Sequence, residues 1–595
     1  MEVTRVFDLL DLYRGRGNMT HALAGKHNGE WIVYNSKTYV ALSEEFALGL
    51  LALGINRSDR IVTVTNNRPE WNFTSMAVAQ IGAVHVPLNA SQSLEEFLYI
   101  FHHATPRILF VSDQATYRRL KPLADQTPSI EYIFTFSKIE GVPWWEEIPA
   151  KGRALREELM PRFESIKREV QPDDLYTIVY TSGTTGVPKG VMLSHRNILS
   201  NVYATADKHT HAYGHRVLSF LPLSHVFEHM LNIHFQFKGL SIYYAESLTT
   251  LIDDMKAVNP HMFAAVPRVL EKVYSVAIAK GKALKGIKRV LFFYCVNQAL
   301  AFDMKSFRLN PLYRLKITLC RKLVLKKIMA SFGNSFDFVV SGGAPLQPRL
   351  AKLFWASGIP LSEGYGLTET SPVIAVTDVV RGKVRIGTVG PVLDNMTVKI
   401  ADDGEILCKG PNVMLGYYRD PELTAQVIDE QGWFHTGDIG VIEEGGYLRI
   451  TDRKKEIFKL SNGKYVAPQA IENRLKESMF IDQALVIGSN EKFAGAIISP
   501  VFPYLQKWAE QHHLSFSSLG EMVKDPKVVA RIQKEVDLVN RKLNATERIG
   551  RIRLVADEWT SQSGELSLTL KLKRRVLEQK YEALIADIYS VGSID

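Results

Sequence analysis

Residues 180–190 read Tyr-Thr-Ser-Gly-Thr-Thr-Gly-Val-Pro-Lys-Gly, a run of hydroxyls and glycines with one lysine. Gly183, Gly186 and Gly190 let the backbone approach an anion closely, Thr181, Ser182, Thr184 and Thr185 offer donors, and Lys189 supplies positive charge. That is phosphate-handling chemistry. It is not a Walker A loop, because GxxxxGK[ST] needs glycine directly before the lysine and here Val187 and Pro188 intervene. Such a loop must be held by its flanks: residues 175–180 are apolar enough for a buried strand, residues 190–193 read as a second short strand, and Ser194 is placed to N-cap a helix beginning near His195.

Further segments carry side chains suited to the same ligand. Ser341-Gly342-Gly343-Ala344-Pro345 follows a predicted strand, and its glycines let a flat base lie against the backbone. In residues 363–370, Glu-Gly-Tyr-Gly-Leu-Thr-Glu-Thr, an aromatic ring can stack on a base, a threonine can bond a phosphate, and a carboxylate can hold Mg²⁺, which prefers oxygen ligands. Residues 433–438 place the Asp438 carboxylate after a turn, where it suits the two hydroxyls of a ribose. Residues 452–455, Asp-Arg-Lys-Lys, read as a charged turn, and residues 566–575 form a basic tail containing Lys571. A competing pattern, His225-Val226-Phe227-Glu228-His229, satisfies the HxxEH spacing of inverted zinc peptidases, in which histidines at i and i+4 share a metal.

Taken in order, these segments resemble the adenylate-forming enzymes, the superfamily of acyl-CoA synthetases, luciferases and peptide-synthetase adenylation domains. The resemblance implies that Gly343 and Ala344 line the adenine and acyl pockets, with Tyr365, Gly366 and Thr368 at the nucleotide. It gives Thr184 and Glu369 to the metal, Asp438 and Arg453 to the ribose, and makes Asp452 the hinge between domains. Gly463, in Gly463-Lys464-Tyr465-Val466-Ala467-Pro468, falls on the loop that faces the pantetheine channel after the small domain rotates; the usual carboxylate after that proline is Gln469 here, while Glu472 is kept. Lys571 matches the lysine that drives adenylation, although Ser567-Leu568-Thr569 replaces the Thr-Pro-Thr usual in long-chain members. His225, within Phe220-Leu221-Pro222-Leu223-Ser224-His225, becomes a wall of the acyl pocket. Val266-Pro267-Arg268-Val269-Leu270-Glu271-Lys272 and the basic stretch after it look like the long-chain acyl-CoA synthetases.

The supporting fold is expected to be α/β. Strands alternate with helices: 336–340, a helix carrying Leu350, Leu353 and Phe354 to a stop at Gly358, then 359–361 into a glycine turn. This implies a parallel layered sheet with ligand loops at strand C-termini. We expect a large N-terminal domain over residues 1–451 and a small, mobile α+β domain over 452–595, with a helix at 468–477, strands near 484–487 and 495–500, and a long helix through Asp537.

The 595 residues carry a formal charge of +9, concentrated in one place: residues 268–327 hold 15 Lys or Arg against Glu271 and Asp303, so the rest of the chain is net acidic by 4. That stretch also contains Leu291, Phe292, Phe293, Tyr294, Leu300, Phe302, Phe307, Leu312, Leu315 and Leu323, a mixture suited to amphipathic helices at an anionic membrane surface. No nucleic-acid motif accompanies the charge. The three cysteines are widely spaced and form neither a disulfide framework nor a zinc pattern, favouring a reducing compartment. Residues 1–17 lack a signal-peptide core and no apolar run reaches membrane-spanning length. The expected location is cytoplasmic, peripheral on the cytoplasmic membrane face. The sequence leaves oligomeric state open, a homodimer included.

The implied reaction consumes ATP with Mg²⁺, joins a fatty acid to AMP with release of pyrophosphate, and transfers the acyl group to coenzyme A. The same ATP-side residues suit an acyl-AMP ligase serving a carrier protein. A zinc hydrolase and a catalytically idle membrane-binding relative are the readings from other classes.

Overall fold

The computed structural model describes residues 2–27, 29–182, 187–247, 249–330, 333, 335–560, 563–567 and 571–590. Two compact units emerge: Met1–Val398 with Cys408–His435 and Gly445–Tyr447, and Lys399–Leu407 with Thr436–Glu444 and Leu448–Asp595.

The first unit contains two large α/β sheets. In one, strands Arg60–Val64, Val84–Leu88, Ile108–Val111 and Tyr132–Thr135 run parallel, while Leu175–Ser182 pairs antiparallel with Pro188–Ser194. The middle strands are buried: Val62, Val86, Leu109 and Ile178 are core, as β-branched and aliphatic runs covered on both faces must be. In the other sheet, Arg216–Ser219 leads to Ser241–Tyr244 on one side, and the chain then returns to Met262–Ala265 on the opposite side. Strands 216–219 and 262–265 therefore lie adjacent with connections leaving in opposite directions, a topological switch point of the kind that opens a ligand crevice at strand C-termini. His225 and the Ser341–Ala344 turn both follow strands of this sheet.

The expected hairpin and helix around residues 175–205 are present. Ser194 Oγ accepts from Asn197 N at 3.1 Å, and the Asn197 side chain accepts in return from Ser194 N at 2.8 Å, fixing the start of helix His195–Thr205. Helix Pro348–Ser357 ends at Gly358 with φ +88, as its apolar spacing and terminal glycine require.

Two expected turns are strands instead. Leu361–Tyr365 continues through Gly364 because Gly364 and Tyr365 pair antiparallel with Val376 and Ala375. Asp438 lies within strand Phe434–Glu443, where Gly437 takes φ +69 and bends the strand just before it.

The second unit centres on strands Ile481–Ile487, Ala494–Pro500 and Ile549–Leu554, covered by helices including Pro468–Leu475 and Pro526–Asn540. In the latter helix Val528, Ile532 and Val536 recur every four residues and are fully buried, and the Asp525 carboxylate caps Lys527 N and Val528 N.

Cys295, Cys320 and Cys408 are free and buried. Among the described residues no helix is long and apolar enough to cross a membrane.

Candidate active site

The hairpin flanking residues 183–186 brings Thr181 opposite Lys189 in register. Gly183, Thr184, Thr185 and Gly186 lie outside the described residues, as does the Ser182 side chain. Gly190 is required sterically, since a Cβ there would come 2.9 Å from Ile178 Cγ2. The Lys189 ammonium sits 5.3 Å from the centre of the Tyr417 ring, and the Tyr417 hydroxyl donates to Glu369 Oε1 at 2.8 Å. Lysine, tyrosine and carboxylate thus form one chain of contacts, and burial followed by the Glu369 charge pushes the phenol well above its ordinary pKa. Tyr417 is a residue the sequence reading missed.

The segment bearing Glu369 is held rigidly. Asn201 and Asn412 both donate to Thr370 O, at 2.8 and 3.2 Å, and Met414 N donates to Glu369 O at 2.9 Å. Gly366 has no room for a side chain: a Cβ would fall 1.7 Å from Pro372 O. Thr368 is buried, while Tyr365 and Glu369 are half-buried. Gly343 has φ +78, and a Cβ there would meet Val266 Cγ1 at 3.7 Å; the Phe227 ring lies 3.1 Å from where a Gly342 Cβ would stand. The His225–Phe227 segment and the Ser341–Ala344 turn therefore adjoin at the switch point.

The HxxEH residues serve the fold. His225 caps its helix, accepting from Phe227 N at 3.4 Å; the buried His229 ring bonds the Tyr176 hydroxyl at 2.9 Å. Burial holds the His229 pKa down at about 3 and pushes the Glu228 carboxyl up to about 8. Among the described residues no three His, Cys, Asp or Glu side chains are grouped to hold a metal.

Within the second unit, Asp438 is buried and accepts from Arg453 Nε at 3.0 Å. Lys571 shares that electrostatic neighbourhood. Although the residue as a whole is exposed, protein crowds its ammonium and pulls the pKa down to about 8, burial acting first and the Arg453 charge second, against the Asp438 and Glu456 carboxylates. Its loop is closed by Ser567 N donating to Lys571 O at 2.7 Å and Lys571 N donating to Ser567 Oγ at 3.0 Å; Leu568, Thr569 and Leu570 lie outside the described residues.

Arg574, three residues on, was also missed. It donates to Glu456 Oε2 at 3.1 Å, Glu472 Oε1 at 2.5 Å and Val486 O at 3.1 Å, while Glu472 Oε1 accepts from Val486 N at 2.7 Å. Asp452 is buried; its Oδ1 accepts from Arg453 N at 2.6 Å and its Oδ2 has no hydrogen-bond partner among the described residues, and burial raises its pKa to about 6. Gly463, φ +86, occupies the exposed turn between strands Phe458–Lys459 and Tyr465–Val466.

Residues 19–418 match the AMP-binding enzyme family, and residues 455–592 match the AMP-binding enzyme C-terminal domain. The chain belongs to the AMP-binding, adenylate-forming enzymes. Within this superfamily it is similar to long-chain-fatty-acid–CoA ligase FadD15 of Mycobacterium bovis, 32% identical, covering 91% of this chain and 90% of that protein. It is also similar to long chain acyl-CoA synthetase 6, peroxisomal, of Arabidopsis thaliana, 31% identical over 92% and 80% of the two chains. Among solved structures, the adenylation domain of a carboxylate reductase from Mycobacterium chelonae superposes with a TM-score of 0.76 at 22% identity, covering 99% of this chain and 91% of that one. The fold is thus common to this chain and to the adenylation domain of a carboxylate reductase.

Proposed function

We propose that this AMP-binding enzyme is a long-chain fatty acid–CoA ligase. The observation that carries the reading is its similarity, over nine-tenths of both chains, to a relative named for that activity. A carboxylate is a poor electrophile with a poor leaving group. Attack of its oxygen on the ATP α-phosphate gives acyl-AMP and pyrophosphate, and the coenzyme A thiolate then attacks the acyl carbon and expels AMP.

In this reading Lys571 stabilises the charge building on the carboxylate oxygen and α-phosphate. Thr181, Ser182, Gly183, Thr185, Gly186 and Lys189 hold the departing pyrophosphate. Tyr365 stacks on adenine beside Gly343, Ala344 and Gly366, Thr368 bonds phosphate, and Asp438 and Arg453 take the ribose. Glu369 and Thr184 are oxygen donors of the type Mg²⁺ prefers. When bound, that ion would neutralise phosphate charge.

The second half-reaction needs Lys571 removed and the Gly463 loop presented, which a rotation of the small domain about Asp452 accomplishes. His225 walls the acyl pocket. Because long-chain fatty acids partition into bilayers, peripheral contact with an anionic membrane belongs to the same reading.

Pyrophosphate release across fatty acids of increasing length, with and without coenzyme A, tests it. The expected result is sustained turnover on long chains only with coenzyme A, at one acyl-CoA per pyrophosphate. Sustained release with acyl transfer to a carrier protein and no coenzyme A consumption would instead make this an acyl-AMP ligase.

A further inference from the structure

The basic stretch folds as helices Pro267–Ala283, Gly286–Leu300, Met304–Leu309 and Pro311–Cys320, the last running on through Arg321–Leu325. Helix Gly286–Leu300 buries Phe292, Cys295, Val296 and Ala299 on one side. Its opposite side is apolar too: Ile287, Val290, Leu291 and Tyr294, at i, i+3, i+4 and i+7, face solvent, with Ile287 84% exposed and Val290 70%.

The neighbouring helix repeats the arrangement. Ile317, Cys320 and Val324 are buried, whereas Leu312, Leu315, Leu319 and Leu323 form a second outward stripe, with Leu312 79% exposed. The two helices pack together and the Cys295 and Cys320 thiols are buried neighbours, so the inner faces meet and the stripes are what remains outside. An amphipathic helix normally turns its polar side to water. Two adjacent helices that both present apolar outer stripes need a partner.

Charge identifies the partner. Lys288, Arg289, Arg314 and Lys322 are exposed on these same helices and Lys285 and Lys326 are exposed at their ends, and Asp303 is the only acidic residue from 286 to 327. Apolar stripes bordered by cations match the interface of a bilayer whose headgroups are anionic: leucines enter the acyl boundary while lysines and arginines stay at phosphate level. A second copy of this chain would bring an equally basic face against the first, an unfavourable pairing.

We infer that the outward face of Gly286–Leu300 and Pro311–Leu325 is the docking surface for an anionic phospholipid membrane. The inference rests on the membrane contact proposed above and assigns it to these two stripes.

Flotation with phosphatidylcholine vesicles, with and without phosphatidylglycerol, tests it on the full chain. Wild type should float with the anionic vesicles. Reversing Lys288, Arg289, Arg314 and Lys322 to glutamate should weaken binding at least about a hundredfold, each cation being worth about fivefold near such a surface. Leu312→Ser with Leu315→Ser and Leu319→Ser should leave capture at low salt but abolish retention at high salt. Both variants should keep wild-type melting temperature and vesicle-free activity on a water-soluble medium-chain acid.

Wild type that floats while both variants float equally well would overturn this surface but spare membrane contact. Wild type that never floats would overturn both and leave the ligase reading intact. Sedimentation without vesicles supplies the remaining outcome: a dimer that the serine variant converts to monomer would make the stripes a self-association face and overturn the inference.

Discussion

Arg574 and Glu472, 102 residues apart in the chain, meet as a buried ion pair with 2.5 Å between Nη2 and Oε1. Together they bracket Val486 at the outer edge of the three-stranded sheet, Glu472 taking its N–H and Arg574 giving to its carbonyl. Through Arg574 the Lys571 loop is fastened to helix Pro468–Leu475 and to Glu456. Removing one partner of such a pair leaves a buried charge alone and costs about 3–5 kcal/mol.

Arg574→Met should therefore lower the melting temperature and cut the rate of acyl-AMP formation by more than tenfold. Arg574→Met with Glu472→Met should recover most of the melting temperature without recovering adenylation, because the anchor of the lysine loop stays lost. Recovery of both together would reduce Arg574 to a purely structural role.

Tyr417→Phe deletes the hydroxyl that donates to Glu369 while keeping the ring under Lys189. A hydrogen bond to a charged group contributes about 1.5–3 kcal/mol. Pyrophosphate release should fall roughly tenfold or more, with a higher Mg²⁺ concentration needed for half-maximal rate. An unchanged Mg²⁺ titration would separate Glu369 from the metal.

The Lys571 pKa of about 8 sets a pH limit. In the role proposed for Lys571 only the protonated ammonium stabilises the anionic transition state, so adenylation should decline as pH rises through about 8. The Arg453 charge lowers this pKa; Arg453→Met, assayed at saturating ATP, should move the alkaline limb to higher pH. A limb that moves down would contradict the electrostatic coupling.

Asp452 is a buried carboxyl whose folded pKa, about 6, lies above its unfolded value. Its stabilising protonated form is fully present below the unfolded pKa near 4 and is lost as pH rises through 6. At neutral pH the charged form costs about 3 kcal/mol, the two-unit shift at about 1.4 kcal/mol per unit. Asp452→Asn should therefore raise the melting temperature at pH 8, and the gain should shrink as pH falls from 6 toward 4. An equal gain at both ends would exclude ionisation as its cause.

What the sequence disclosed follows from how local each signal is. The hairpin around residues 175–194 and its helix were readable because the N-cap, the apolar runs and the glycines act over a few residues. Gly364 and Gly437 were misread as turns, since the pairing that makes each a strand residue comes from elsewhere in the chain. Tyr417 is 48 residues from Glu369 and carries no motif, and nothing near Arg574 points to Glu472. In the basic helices composition revealed the mixture but not its direction: Phe292 and Phe302 face the core, while Leu291, Leu312 and Leu315 face water.

In the proposed reaction Lys571 serves adenylation alone. Lys571→Ala should abolish acyl-AMP formation from fatty acid and ATP, yet convert supplied acyl-AMP and coenzyme A to acyl-CoA at close to the wild-type rate. Equal loss of both half-reactions would mean that Lys571 is not specific to adenylation.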